Sequence, residues 1–161
     1  MFFGGFEDFR VFRRNSLILI SILLLATALF SEVILTEIMN NPAGGETSIP
    51  GGDSNEFIEI YNAGPDSIDL EGWQIDDGDD DDILVAAASG ISTLPEDTDP
   101  IYDQTILPPG GFAVVIDPEY VDPANDQPYD FPAGARILTI QSTTDLGGYR
   151  IATSDPIYLI N

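Results

Sequence analysis

The chain has 161 residues, 28 of them acidic against five Arg and no Lys, for a net charge of −23, and it contains neither His nor Cys. Those absences exclude disulfides, Cys- or His-ligated zinc, and any Ser-His-Asp or Cys-His nucleophile pair. A field of this sign repels phosphate backbones and anionic lipid surfaces, so nucleic acid is not an expected partner and cations are.

The first element is a leader. Arg10, Arg13 and Arg14 precede an uncharged apolar run from Ser16 to Phe30, with Ala26-Thr27-Ala28 near its end. A basic start, an apolar stretch and an A-x-A site are the parts of a secretory signal peptide, here residues 1–28 with cleavage after Ala28. A run this short falls below the roughly 20 residues that span hydrocarbon as a helix. The alternative is retention as a signal anchor, the one route by which this chain would meet a membrane. Either way the rest is exported, to the cell surface or beyond it. Removing residues 1–28 takes Glu7, Asp8 and three Arg, which leaves 26 acidic residues against Arg136 and Arg150, a net charge of −24.

After the leader the periodicity is that of strands. Val33 to Met39 is apolar and β-branched and stops at Asn40-Asn41-Pro42, where Pro cannot continue a ladder. A Gly-rich polar loop follows. Phe57 to Tyr61 alternates, with Ile58 and Ile60 on one face and Phe57, Glu59 and Tyr61 on the other. Ala63-Gly64-Pro65-Asp66 has turn chemistry. Ser67 to Leu70 and Trp73 to Ile75 are short extended pieces, with a bend or bulge at Gly72. Later strands are expected at Asp82 to Ala87, Phe112 to Ile116, Arg136 to Ile140, Tyr149 to Ala152 and Ile157 to Ile160, with Leu107-Pro108-Pro109-Gly110-Gly111 as a breaker before the FAVVI run. Two stretches, Ala88 to Thr105 and Asp117 to Ala135, read as long loops of the kind that are functional or poorly ordered. Seven or eight short strands without an apolar helical stripe predict an all-β antiparallel sandwich or barrel. Its expected core includes Ile34, Ile38, Ile58, Ile60, Leu70, Trp73, Val114 and Ile116. Glu37 and Glu59 interrupt apolar strands, where an unpartnered carboxylate would be costly if buried.

The order ILTEIMNNP (Ile34 to Pro42), NEFIEIYN (Asn55 to Asn62), DLEGW (Asp69 to Trp73) and LPPGGFAVVI (Leu107 to Ile116) resembles the lamin tail domain of exported bacterial proteins, over residues 32–161. The resemblance implies an immunoglobulin-like β-sandwich, shortened at its C-terminal end here, with no activity of its own. In bacteria such domains accompany secreted hydrolases, nucleases and surface proteins. It therefore implies a non-enzymatic module for docking, anchoring or presenting other domains of a longer parent chain or surface proteins. One alternative is an N-terminal accessory domain to a secreted hydrolase or nuclease. Another is a carbohydrate-binding module, with Trp73 and the loop tyrosines as stacking platforms.

One local cluster carries chemistry. Asp76, Asp77, Asp79, Asp80, Asp81 and Asp82 surround Gly78, six carboxylates in seven residues. They repel one another unless water, salt or a multivalent cation compensates. Calcium, with six to eight oxygen ligands in flexible loops, suits them better than magnesium, which demands a near-ideal octahedron. The spacing is not that of an EF-hand loop, and a solvated acidic loop is the plainer reading. No cofactor is required, and calcium is the one ion the run invites.

Overall fold

The computed structural model describes residues 32–42, 55–90, 99–120, 128–142, 145–148 and 150–161. The expected leader, the Gly-rich loop at 43–54 and Tyr149 lie outside the described residues. The unit Glu32–Asn161 is built from β1 (Val33–Met39), β2 (Phe57–Asn62), β3 (Ile68–Asp69), β4 (Gln74–Asp76), β5 (Asp81–Ala86), a single helical turn α1 (Ala87–Gly90), β6 (Ile106–Leu107), β7 (Phe112–Ile116), β8 (Arg136–Ile140) and β9 (Tyr158–Ile160).

Seven strands pair in the order β1-β2-β7-β8-β5-β4-β9, and β3 pairs with β6. β5 joins two ladders: Asp81, Asp82 and Ile83 pair with β4, whereas Leu84, Val85 and Ala86 pair with β8. A strand shared in this way carries the chain from one layer of a sandwich to the other. The strands β1, β2, β7 and β8 turn Val33, Leu35, Ile58, Ile60, Ala113, Val115, Leu138 and Ile140 inward. In the same core lie Ile68, Ile75, Leu107 and Leu159 from the β3–β6 pair, β4 and β9, with Leu70 directly after β3. The alternation read in Phe57 to Tyr61 is the alternation found, with Ile58 and Ile60 fully buried.

One pairing departs from the antiparallel expectation: β7 and β8 run parallel. Parallel neighbours need a crossover of a dozen or more residues, which is why the stretch from Asp117 to Ala135 is long. Part of that crossover builds a second core. Tyr120, Tyr129 and Phe131 pack with Phe57, Val114, Ile116 and Ile137 on the opposite face of β2, β7 and β8. The rings of Tyr120 and Tyr129 stack at 5.8 Å, and Phe57 meets Tyr129 edge-on at 5.0 Å. Tyr102, from the other long connection, is buried there too. Aromatic residues that read as loop decoration are core.

The sequence misplaces three features. Ile34 and Ile38 are 40% and 39% exposed: Ile34 pairs with Tyr61 on the outer face, and Ile38, which the bulge between Leu35 and Glu37 brings opposite Ile58, lies at the end of the pairing order with no further strand beside it among the described residues; Val33 and Leu35 face the core. Trp73 is only half-buried at the margin of the main core rather than anchoring it. Among the described residues of the expected strand at Tyr149 to Ala152 there is no ladder, for the reason given below. The turn after β2 is held by Asn62, whose buried side chain donates to the carbonyls of Asp66 (2.8 Å) and Leu107 (3.0 Å) and accepts from the Gly64 N–H (2.9 Å). Gly72, at φ 78°, closes the following turn, its N–H donating to Leu84 O. Glu37 and Glu59 stand opposite each other away from the main core, where Glu59 accepts the Thr36 hydroxyl at 2.6 Å.

Ile60→Ala should cost about 2–5 kcal/mol, as large-to-small changes in a filled core do, and Ile34→Ala should stay near 0.5 kcal/mol, as surface changes do. Urea unfolding of the two variants checks this. Comparable losses would mean that β1 turns its other face inward.

Candidate metal centre

The acidic run occupies the β4–β5 hairpin, and strand alternation distributes its carboxylates over two faces. Asp76 and Asp81 face each other across the ladder on the outer face, whereas Asp82 pairs with Ile75 and is buried with it. Several oxygens organise the hairpin itself. Asp76 Oδ1 accepts the Gly78 N–H at 2.7 Å, and Asp77 Oδ1 accepts those of Asp79 and Asp80 at 2.9 and 2.8 Å. Gly78, at φ 94°, makes the tight return. Asp81 accepts the Gln74 side-chain amide at 2.9 Å. Asp79, Asp80 and Asp81 remain exposed.

A second acidic group lies elsewhere. Asp117 directly follows β7, and it forms with Glu119 and Asp145 a set whose ligand oxygens all lie within 4.8 Å of one another. Among the described residues this set, and not the hairpin run, brings three carboxylates that close. Nothing local in the sequence marks it. Asp117-Pro118-Glu119 is one acidic pair among many, and Asp145 is 28 positions away from Asp117.

The two groups meet at one backbone segment. Asp82 Oδ2 accepts the Gly147 N–H at 2.7 Å, and Asp117 Oδ2 accepts the neighbouring Leu146 N–H at 2.8 Å while its Oδ1 accepts from Glu119 at 2.7 Å. Further along, Glu56, 1% exposed at the start of β2, takes the Ile151 N–H on Oε2 at 2.8 Å, and Asp155 takes that of Ala152 at 2.8 Å. These donors would have built the strand expected at 149–152. With carboxylates satisfying them, no ladder forms. Glycine suits both turns: a Cβ on Gly147 (φ 74°) would stand 2.8 Å from Asp77 Oδ2 and 3.0 Å from the Arg150 carbonyl, and Gly148 (φ 78°) holds a backbone conformation that side chains rarely adopt.

Burial raises the pKa of Asp82 from 3.8 to about 6, against the lowering effect of its bond from Gly147, with Asp80, Asp77 and Asp81 adding repulsion. Burial likewise lifts Asp117 to about 7, opposed by its bonds from Leu146 and Glu119, with Asp145 and Glu119 adding repulsion. Each shift disfavours the charged form in the folded state. A cation near either carboxylate would reverse that preference, because it stabilises the ionised form.

A family model, Lamin Tail Domain, matches residues 27–161 of the chain. No curated protein and no solved structure matches it.

Because both carboxyls have folded-state pKa values above 3.8, their contribution to stability is greatest in acid and is lost as pH rises through about 6 and 7. In chelator and high monovalent salt, the melting temperature should therefore be higher at pH 5 than at pH 8. Asp117→Asn should flatten the part of the profile above pH 6. A melting temperature that falls on going from pH 8 to pH 5 would contradict these assignments.

Proposed function

The chain belongs to the lamin tail domain family, a family of non-catalytic immunoglobulin-like domains, and we propose that it is an exported, non-catalytic module that docks, anchors or presents other proteins or domains outside the cell. The observation that supports the non-catalytic reading is the use made of the buried acids. Glu56, Asp82 and Asp117 each commit a carboxylate oxygen to the backbone of one segment, residues 146–151. A glycosidase-type pair needs the opposite, two carboxyls facing a common space that a sugar can enter. Support for export comes from Arg10, Arg13 and Arg14 ahead of the apolar run and from Ala26-Thr27-Ala28, the parts of a secretory signal. The carbohydrate-binding alternative finds little support, since Tyr102 and Tyr120 are buried and Trp73 is half-buried against the core.

Calcium is the proposed stabilising ion. The hairpin carboxylates Asp76, Asp77 and Asp79 to Asp82 and the group Asp117, Glu119 and Asp145 both border the segment that carries Leu146 and Gly147. An ion held by either group offsets repulsion in the folded state alone and so stabilises it by linkage.

Two outcomes are expected of the purified chain. It should turn over no nucleic acid, ester, peptide or glycan substrate; turnover that disappears when one named carboxylate is replaced would overturn the reading. Calcium at about a hundred times its dissociation constant should add roughly 2.7 kcal/mol of stability, beyond what sodium chloride at matched ionic strength gives. Comparing Asp79→Asn/Asp81→Asn with Glu119→Gln/Asp145→Asn in thermal melts assigns the ion to one group. Equal shifts from both salts would leave these carboxylates merely solvated.

A further inference from the structure

The outer face of β2 and β7 is apolar at both ends and covered at one. Phe57, Val114 and Ile116 turn to that face and lie under the second core, against Tyr120, Tyr129 and Phe131. Four residues along β2 from Phe57, and four back along β7 from Ile116, the same alternation brings Tyr61 and Phe112 to this face. Tyr61 pairs with Phe112 on one side and with Ile34 on the other, so the three form one row across β1, β2 and β7. The two rings have centroids 4.8 Å apart and are inclined by 38°. Ile34 and Phe112 are 40% and 41% exposed, Tyr61 is half-buried, and none of the three belongs to either core.

The rung beside this row is acidic. Glu59 lies between Phe57 and Tyr61 on the same face and stands opposite Glu37 across the ladder. Like charges directly opposite each other weaken a sheet. The Thr36 hydroxyl donates to Glu59 at 2.6 Å, which satisfies an oxygen without adding positive charge. Arg136 is engaged with the carbonyls of Ile106 and Gly134. Glu59 and Tyr61 are two residues apart, about 7 Å along the strand, so one long cationic side chain spans both. A second copy of the chain is a poor occupant. It would bring its own Glu37–Glu59 rung and a net charge of −23 within a Debye length of about 8 Å at physiological salt.

We propose that the Ile34–Tyr61–Phe112 row is a docking surface for an arginine-bearing segment of a partner protein. The guanidinium would stack on the Tyr61 and Phe112 rings and turn its N–H groups toward Glu59 and Glu37. Apolar side chains beside that arginine would cover Ile34. Arginine suits the site better than lysine, because its planar fork both stacks on a ring and meets a carboxylate in two bonds. The inference rests on the docking reading above and adds to it the surface and the chemistry of the partner.

The test titrates the full chain with the acetylated, amidated peptide Ser-Leu-Arg-Leu-Ser and with versions carrying Lys or citrulline in place of the Arg, following backbone amides by NMR. A single charge per peptide keeps the general attraction of an acidic chain small. The Arg peptide should bind saturably, more weakly in high salt, and shift the amides of Ile34, Glu59, Tyr61 and Phe112. The Lys peptide should bind more weakly, and the neutral citrulline peptide more weakly still. Phe112→Ala should weaken Arg-peptide binding about threefold, the worth of an exposed cation–ring contact. Glu59→Gln, which keeps an acceptor for the Thr36 hydroxyl, should weaken it by about the same factor, with thermal melts showing both variants folded. Shifts confined to the Asp76–Asp82 hairpin, equal affinity for the three peptides, affinity unchanged in both variants, or no binding would overturn the proposal. So would a concentration-dependent dimer, or a cello-oligosaccharide, that shifts these amides where the Arg peptide does not. None of these results removes the docking reading, whose failure has a different signature, substrate turnover by the purified chain.

Discussion

Buried carboxylates that accept backbone N–H groups are the interaction on which the rest of this structure depends. Glu56 from the start of β2, Asp82 from β5 and Asp117 from the end of β7 converge on residues 146–151 and accept from Ile151, Gly147 and Leu146. Such a bond contributes about 0.5–1.5 kcal/mol when the acceptor is a neutral carboxyl and about 1.5–3 kcal/mol when it is ionised. Removing the donor would leave a desolvated charge whose penalty is larger still. The segment feeds into β9, so these bonds tie the strand that closes one end of the sheet to three others. A chain with five Arg and no Lys, of which only Arg136 and Arg150 lie beyond residue 31, has few side-chain cations for its buried acids. Backbone donors serve instead.

That solution has an electrostatic consequence. Asp82 and Asp117 are held where burial and neighbouring acids both oppose ionisation, and their raised pKa values record it. Acid and divalent cations relieve the same tension by different means, protonation in one case and charge compensation in the other. Calcium bound at these groups, as proposed above, would compete with protons for them, so its stabilising effect would grow as pH rises. The carboxylates Asp79 to Asp81 are exposed to solvent.

Strand alternation made much of the fold legible in the sequence. β1, β7 and β8 fall where apolar and β-branched runs placed them, and Ile58 and Ile60 point inward as their spacing required. What local pattern could not supply was anything decided at a distance. The bulge that resets the register of β1, the edge position that leaves Ile38 exposed and the parallel crossover that recruits Tyr120, Tyr129 and Phe131 into a core depend on which strands become neighbours. The site follows the same division. The Asp76–Asp82 run is conspicuous in sequence, yet among the described residues the set that brings three carboxylates within 4.8 Å, Asp117, Glu119 and Asp145, comes from separate segments. Ile151 sits in a run with strand composition, but its donor had already been claimed by a glutamate 95 residues earlier.

Native-state hydrogen exchange at Leu146, Gly147 and Ile151 tests the central claim most directly, because protection there comes from carboxylates and not from a ladder. The account predicts slow exchange at all three amides. In Asp117→Ala it predicts loss of protection at Leu146 while Ile58 and Val115 in β2 and β7 stay protected. Exchange at unstructured-chain rates in the unaltered protein, or an unchanged Leu146 rate in Asp117→Ala, would contradict it.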